Sequence, residues 1–283
     1  MVPAETAISL IDLARYPINT TGARFDAVLR RIQRDLDDEG CAVIKGFVRP
    51  QAVARLVAEA DRVAPQAHRS FNRTNVYFTK DDPSLSRNHP ARRFYDRSNA
   101  FVPADNLGPG SLLRSIYEWT PFRSFVQAAL RERDFYPYAD PLADVIVNVV
   151  EEGGGFPWHF DTNTYTVTLA IQNGEDGGEF CYAPWIRSAT QENFEVVCEV
   201  LDDRSDRVRV LTLAPGDLQI FKGRYALHRV APVRGRRPRY VGIFSFVEEP
   251  GMVASPERCQ QLYGKALPIH HERAGKRADE LID

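Results

Sequence analysis

The sequence has few cysteines, no long apolar run and little net charge, and each of these excludes a class of protein. Its four cysteines lie far apart and include no CxxC pair, which argues against a zinc ribbon and against a disulfide scaffold. No apolar run approaches the roughly 20 residues that span a bilayer. The net charge of −2 gives no general reason to expect a surface for nucleic acid or for a membrane.

The first residues, MVPAETAISLIDLARYP, also lack the basic stretch and long apolar segment of a secretory signal. The remaining composition is ordinary for a globular protein, with 43% hydrophobic and 26% charged residues in a chain of 283. We therefore expect a single cytoplasmic domain over residues 1–283. The sequence leaves open whether the protein acts alone or as a homodimer.

The pattern along the chain divides this domain into three parts. Residues 1–139 are expected to form a flanking region of helices and loops, with helices over 23–40, 49–64 and 111–134 and a short strand over 41–48. Residues 65–110 are polar, aromatic and interrupted by proline, so we interpret them as a long ordered loop region of the kind that is often functional. Residues 251–283 are expected to form a C-terminal helix and tail.

Residues 140–250 are dominated by short β-rich runs. ADVIVNVVEE, YTVTLAIQN, GGEFCYAP, RVRVLTLAPGDLQIF and RYVGIFSFVEE are separated by Gly, Pro, Asn and Asp, and residues 186–203 interrupt them with a partly helical insertion. Short strands with this punctuation indicate an antiparallel double-sheet barrel. The predicted fold class is α+β, with a double-stranded β-helix (jelly-roll) core and N-terminal flanking helices.

The stretch PWHFDTNTY contains the strongest chemical signal. Residues two apart on a strand project to the same face, so His159 and Asp161 are expected to point together into the barrel. His228, in PGDLQIFKGRYALHRVAPV, follows a strand that would pair nearby. Two imidazoles and one carboxylate leave three adjacent positions open on an octahedral ion, as in non-haem Fe(II) oxygenases.

An arginine inside the barrel would complete such a site by holding a dicarboxylate cosubstrate. Arginine suits this task because it is permanently charged and makes planar two-point contacts. Arg239 begins the strand PRYVGIFSF, whereas Arg237 is separated from that strand by Pro238. We therefore prefer Arg239 as the anchor and keep Arg237 as the competing candidate.

With these motifs, the sequence resembles the Fe(II)/2-oxoglutarate-dependent oxygenases of the double-stranded β-helix fold. The resemblance covers roughly residues 140–249, and WHFDTN with RYALHRVAPV is closest to the subgroup of free-amino-acid hydroxylases and related radical halogenases. It implies Fe(II), 2-oxoglutarate and O2 as cofactors, with His159, Asp161 and His228 as metal ligands. In the halogenases a small residue replaces the carboxylate ligand to make room for chloride, so Asp161 implies oxygenation.

Other residues are candidates for ligand contacts. Asn148, on the strand before the metal motif, is a candidate for the cosubstrate, although an asparagine that satisfies backbone groups is as good an interpretation. For a small-molecule substrate, the polar loop region offers arginines and amides, and Trp158 flanks a ligand. The substrate-binding candidates are Arg73, Asn75 and Trp158, with Arg97 and Asn99 as further loop residues. This inventory, with acids at Asp144, Glu151 and Glu152, favours an amino acid or a derivative.

Several functions remain compatible with these residues. The leading hypothesis is hydroxylation of an unactivated C–H bond in a small polar molecule. Desaturation, cyclisation or epimerisation would use the same cofactors, because the outcome depends on where the substrate carbon lies. A non-catalytic barrel that only binds ligands needs no position for O2, and a zinc hydrolase would need a general base that the motif does not provide.

Overall fold

A computed structural model describes residues 4–273 and 281 of the chain, apart from the side chains of Ala4 and Asn99. Its helices are α1 Ala4–Leu10, α2 Ala23–Glu39, α3 Pro50–Val63, α4 Leu112–Glu118, α5 Thr120–Leu130, α6 Phe194–Leu201, α7 Pro256–Tyr263 and α8 Pro268–Arg273. Its strands are β1 Cys41–Ile44, β2 His68–Thr74, β3 Tyr95–Val102, β4 Tyr136–Pro137, β5 Val145–Val150, β6 Phe156–His159, β7 Thr166–Gln172, β8 Asp176–Gly177, β9 Phe180–Ala183, β10 Arg209–Leu211, β11 Leu218–Phe221, β12 Leu227–Val230, β13 Val233–Arg234, β14 Arg239–Phe244 and β15 Phe246–Val247.

Two antiparallel sheets form the core of the molecule. The larger sheet has seven strands in the order β1-β11-β7-β14-β5-β3-β2, and the smaller has four in the order β10-β9-β12-β6. Neighbours in each sheet are mostly distant in sequence, as in a jelly roll. The predicted fold class, an α+β protein with a double-stranded β-helix core, is confirmed.

The N-terminal helices cover one face of the larger sheet. Helices α1 to α5 contribute 16 of the 40 buried residues of the largest hydrophobic cluster, where they meet side chains of β5, β7, β11 and β14. Within α2, Ile32 and Leu36 are buried four residues apart, which is the spacing of one helical face. The helix ends at Gly40 in the left-handed conformation, as the sequence predicts.

The opposite face of the larger sheet looks towards the smaller one, and a cavity of about 780 Å³ lies between them. Alternate residues of single strands line it, such as Ile146 and Asn148 on β5 or Thr166 and Thr168 on β7. Strand alternation therefore separates the residues of the helix-covered core from the residues that face the cavity. Among the described residues, no helix is both long and apolar enough to cross a membrane.

The prediction of loop throughout residues 65–110 is wrong in part. Residues 68–74 and 95–102 form the hairpin strands β2 and β3, and β3 pairs with β5, which extends the larger sheet into the flanking region. Strand β2 lies at the edge of the sheet, and the exposure of its residues alternates along the strand. These residues, HRSFNRT, are nevertheless mostly polar on both faces. A polar edge strand has no apolar periodicity to detect. The segment between the strands remains a long loop with a 3₁₀ turn at Pro90–Arg92.

Candidate metal centre and active site

Three side chains of the predicted metal motif meet at one end of the cavity. His159 ends β6 and His228 lies directly opposite on β12, so their rings come within 4.1 Å of each other between centroids. Asp161 follows two residues after His159, and its Oδ1 lies 3.7 Å from His159 Nε2 and 3.4 Å from His228 Nε2. The three potential ligand atoms all lie within 4.8 Å of one another.

The protein holds the far nitrogen of each imidazole. His159 Nδ1 is 2.8 Å from the carbonyl oxygen of Pro157, and His228 Nδ1 is 2.9 Å from that of Ala226. A carbonyl only accepts hydrogen bonds, so each Nδ1 carries the proton and each Nε2 presents a lone pair. A backbone carbonyl behind the ring is the usual support of a metal-bound histidine.

The charge state of this cluster also suits a metal. Burial, followed by the neighbouring His228, lowers the pKa of His159 well below its usual range, which keeps the ring neutral. Burial alone would raise the pKa of Asp161, but the two histidines and a hydrogen bond from Thr166 Oγ1 at 2.7 Å outweigh it and lower that pKa. Neutral imidazoles and an ionised carboxylate are the forms that bind metal.

Gly223 leaves the room that Asp161 needs. Its carbonyl oxygen accepts a hydrogen bond from the Asp161 backbone N–H at 3.1 Å. A Cβ on residue 223 would overlap the Asp161 carboxylate. Two histidines and one carboxylate with free ligand atoms on one side fit a ferrous ion with open positions.

Arg239 is a buried cation that faces the same cavity from β14. Its side chain is 8% exposed, and no other described side chain lies within hydrogen-bonding or ion-pair distance of its guanidinium. Burial lowers the pKa of Arg239 to about 10, so it remains charged at neutral pH. Arg237 lies outside the cavity lining and donates to the carbonyl oxygens of Asn173 and Gly174. An unpaired buried cation is costly, which makes Arg239 the better partner for an anion.

Other polar residues line the same cavity as Arg239. Asn148 is buried and lines the cavity, while its Nδ2 donates to the carbonyl oxygen of Ala100 at 3.3 Å. Thr168 Oγ1 donates to Gln219 Oε1 at 3.0 Å, and both residues line the cavity. Asn148 therefore satisfies a backbone carbonyl and also lines the cavity. Its position is compatible with both interpretations of the sequence, a structural asparagine and a residue that contacts the cosubstrate.

The structure does not bring Arg73 or Asn75 to this cavity. Arg73 lies on the edge strand β2 with its side chain 70% exposed, 3.4 Å from Asp96. Asn75 is completely buried, and its side chain holds the following turn by donating to Ala91 and Thr79 and accepting from Tyr77 N. Both groups are thus engaged elsewhere.

Trp158 and the acids of the sequence inventory also lie apart from the cavity. Trp158 packs in a second hydrophobic cluster, and its ring contacts Arg229 at 4.8 Å. Asp144 forms an ion pair with Arg114 at 2.8 Å, and Glu151 pairs with Arg69 on the surface. Glu152 is exposed and does not line the cavity, so none of these three acids is available there to an ammonium group of a substrate.

Four residues that sequence reasoning undervalued or missed surround the metal motif. Phe156 and Phe78 contact the His159 ring at centroid distances of 4.4 and 5.5 Å. The Arg97 guanidinium stacks on both phenyl rings, and Arg258 from α7 stacks on Phe78. No sequence pattern marks Arg258, because α7 reaches the cavity only through the fold.

Phe78 owes its position to an uncommon backbone conformation. Its φ of 62° lies in the left-handed region, which bulky residues rarely adopt. The Asn75 side chain accepts from the backbone N–H of Tyr77 and of Thr79, on either side of Phe78. Asn75 therefore contributes to the site by fixing the turn that places Phe78 in the cavity.

A comparison with protein families gives one match. The model of the family described as Halogenase D matches residues 25–256, a range that includes both histidines, Asp161 and Arg239 and ends before Arg258. No curated protein matches the chain.

Solved structures with a similar fold share little sequence with this chain. An oxidoreductase of the 2OG-Fe(II) oxygenase family from Burkholderia pseudomallei has a TM-score of 0.50 and 13% identity over 81% of this chain and 93% of that one. The epimerase SnoN in complex with Fe3+, alpha ketoglutarate and nogalamycin RO has a TM-score of 0.54 and 13% identity, with 79% and 84% covered. A prolyl hydroxylase from Trichoplax adhaerens has a TM-score of 0.50 and 12% identity, with 79% and 90% covered. At these identities the likeness shows a shared fold.

Proposed function

The chain belongs to the Halogenase D family, and from this premise we propose that it is an Fe(II)/2-oxoglutarate-dependent dioxygenase. It hydroxylates an unactivated C–H bond of a small polar molecule, an amino acid or a derivative. The observation that carries the proposal is the convergence of two Nε2 lone pairs and the Asp161 carboxylate on one point of the cavity. When bound, iron with 2-oxoglutarate and O2 supplies the oxidation of the C–H bond, and 2-oxoglutarate becomes succinate and CO2.

The protein's own part is to position the metal and 2-oxoglutarate and to exclude water from the cavity. His159, His228 and Asp161 would hold the metal, with backbone carbonyls fixing the ring orientations. The Arg239 guanidinium would pair with the far carboxylate of 2-oxoglutarate, which relieves the cost of its burial. Apolar rings of Phe180 and Phe221 line the same cavity beside the metal motif and limit water there.

Asp161 favours oxygenation over halogenation, although the family to which the chain belongs is named after a halogenase. Its carboxylate occupies one side of the metal motif, held by Thr166 and packed against Gly223. An anion such as chloride would have to enter against this carboxylate, at a cost in like-charge repulsion and in space. The group delivered to the substrate is therefore hydroxyl.

The fold does not select among oxidative outcomes. One solved structure with this fold is described as an epimerase and another as a prolyl hydroxylase. Epimerisation, cyclisation or desaturation with the same cofactors is thus the second candidate function. A non-catalytic barrel is less well supported, because it would not account for the free ligand atoms of the metal motif or for the buried Arg239.

The test is a screen for succinate release from 2-oxoglutarate by iron-loaded protein, with free amino acids, carrier-bound amino acids and hydrophobic natural products in chloride-containing buffer. Mass spectrometry of the products distinguishes gain of one oxygen, loss of two hydrogens, unchanged mass and gain of chlorine. Gain of chlorine would overturn the argument from Asp161. A failure of the wild-type protein to bind Fe(II) at the triad would overturn the proposal itself.

A further inference from the structure

The substrate end of the cavity carries more positive charge than the cofactors require. Arg258 lines the cavity beside Arg97, and the two guanidinium groups are close enough that each lies against the ring of Phe78, at 4.6 and 4.7 Å. Two like charges on one ring repel each other, and burial together with Arg258 lowers the pKa of Arg97 well below its usual range. Such an arrangement is stabilised when an anion joins it.

Arg258 has no acidic partner among the described residues. Its guanidinium forms no ion pair with a described carboxylate, and its backbone N–H donates to Ser255 Oγ. Burial lowers the pKa of the Arg258 guanidinium, with Asp161 acting in the opposite direction from a distance. Arg258 is partly exposed, and a guanidinium withdrawn from water without a carboxylate is costly to the folded protein. A ligand that supplies a carboxylate recovers part of this cost.

The other charges of the cavity are already assigned under the proposed function. Asp161 faces the metal and Arg239 faces the far carboxylate of 2-oxoglutarate. Among the described lining residues, Glu257 is the remaining carboxylate, and it is exposed at the N-terminal turn of α7. The described part of the substrate region therefore contains cations from Arg97 and Arg258, and its described residues offer no buried carboxylate to receive an ammonium group.

We infer that the substrate presents an anionic group, most simply a carboxylate, to the Arg258 guanidinium beside the Phe78 ring. This inference rests on the proposed function, since it names the substrate class of the same site. A planar carboxylate can take two hydrogen bonds from one guanidinium. A substrate whose recognised end is cationic, such as the side chain of lysine, is disfavoured by the same charges.

The protein positions Arg258 rigidly, as a binding residue requires. Ser255 caps α7 by accepting from Arg258 N at 3.2 Å. The next residue, Cys259, is completely buried, and Asp140 Oδ2 accepts from the Ala254 backbone N–H at 2.9 Å. Contacts on both sides of residue 258 thus fix the first turn of α7 against the barrel.

Arg258 lies just outside the part of the chain that matches the family model. The region that matches the family model ends at residue 256, whereas the metal motif and Arg239 lie inside it. The matched region thus contains the residues that would hold the metal and 2-oxoglutarate, and the segment after it contains Arg258, which would contact the substrate.

The test uses binding rather than turnover, with full-length protein loaded with iron and 2-oxoglutarate under anaerobic conditions. Isothermal titration calorimetry compares matched sets of probes in which one scaffold ends in a carboxylate, a neutral amide or an ammonium group: phenylacetate, phenylacetamide and phenethylamine, and the corresponding hexanoyl set. The expected result is that the carboxylate binds roughly tenfold or more tightly than the amide, a factor equivalent to about 1.4 kcal/mol, and that the amine binds most weakly.

The Arg258→Gln variant is expected to lose this preference, while Arg258→Lys retains part of it. Iron and 2-oxoglutarate affinities should be unchanged in both. Arg234→Gln, which removes a surface arginine with a side chain 75% exposed, serves as the matched control and should bind like the wild type.

Two results would overturn the inference: an amide or amine that binds as tightly as its carboxylate, or no carboxylate binding at millimolar concentration. In either case, intact binding of iron and 2-oxoglutarate would show that the proposed function stands without it. Loss of iron or 2-oxoglutarate binding by the wild-type protein would instead contradict the proposed function.

Discussion

Among the described residues, two clusters of side chains could hold a metal ion, and they differ in which atoms remain free. One is His159, Asp161 and His228, and the other is Asp140, Cys259 and His270. In the first, the backbone binds the outer nitrogens and the inner ones converge without a proton. Residue types alone would not distinguish the two clusters, whereas their hydrogen bonds do.

In the second cluster, the protein itself uses the ligand atoms. His270 Nδ1 accepts from Leu267 N at 2.8 Å, so Nε2 carries the proton and donates to Asp140 Oδ1 at 3.1 Å. The Asp140 carboxylate also accepts from the backbone N–H of Leu142 and of Ala254. We interpret this cluster as a structural connection that ties the C-terminal helices to the barrel, which explains why its three residues are all completely buried.

The largest expected effect separates the two clusters directly. Replacing His228 by Ala removes a metal ligand, and residues of a catalytic unit fail together, so we expect no detectable succinate release and greatly weakened iron binding. His270→Asn is the matched variant, and its folded fraction should contain as much iron per protein chain as the wild type. Iron content after gel filtration and succinate assays measure both. Full activity in His228→Ala would contradict the assignment.

Asp140→Ala is expected to have the next largest effect, on stability. It leaves the His270 N–H and the backbone N–H groups of Leu142 and Ala254 without their acceptor, and each buried donor left unsatisfied costs about 1–3 kcal/mol. The free energy of unfolding from urea titration measures the loss. If Asp140→Ala instead lost iron at unchanged stability, the second cluster would be a metal site.

Arg239→Ala tests whether Arg239 or Arg237 anchors 2-oxoglutarate. Loss of a charge-assisted partner costs about 1.5–3 kcal/mol, so the apparent affinity for 2-oxoglutarate should fall by roughly tenfold or more. Iron binding should persist. Arg237→Ala is the control, and a weakened 2-oxoglutarate affinity there with none in Arg239→Ala would move the anchor to Arg237.

Asn75→Ala tests whether a residue outside the cavity acts through Phe78. Its amide makes hydrogen bonds to the turn around a residue with positive φ, and unsatisfied buried partners cost about 1–3 kcal/mol each. We expect lower stability and weaker substrate binding at unchanged iron affinity. Thermal unfolding and calorimetry measure these effects.

Arg73→Ala is expected to have the smallest effect, because exposed substitutions usually change stability by no more than about 0.5 kcal/mol. Substrate affinity should not change. A loss of substrate binding comparable to that of Arg258→Gln would return Arg73 to the binding site.

The sequence predicts the jelly-roll core because the punctuation of the β-rich half is a local signal. It indicates His159 and Asp161 by their spacing of two residues, whereas His228 meets them only through the long-range pairing of β12 with β6. The substrate residues follow no such rule. Asn75 and Arg97 come from the same polar segment, yet Asn75 holds the turn that follows β2, while Arg97 on β3 lines the cavity.

The position of α7 late in the chain has a consequence for biosynthesis. The ribosome releases the metal motif and Arg239 before Arg258 and before His270, whereas a domain generally folds as a unit. The wall that carries Arg258 is secured to the barrel only when Asp140 meets the backbone N–H of Ala254 and the His270 ring. A chain that ends prematurely after the barrel would therefore lack both the Arg258 guanidinium and the His270 N–H that the buried Asp140 carboxylate accepts.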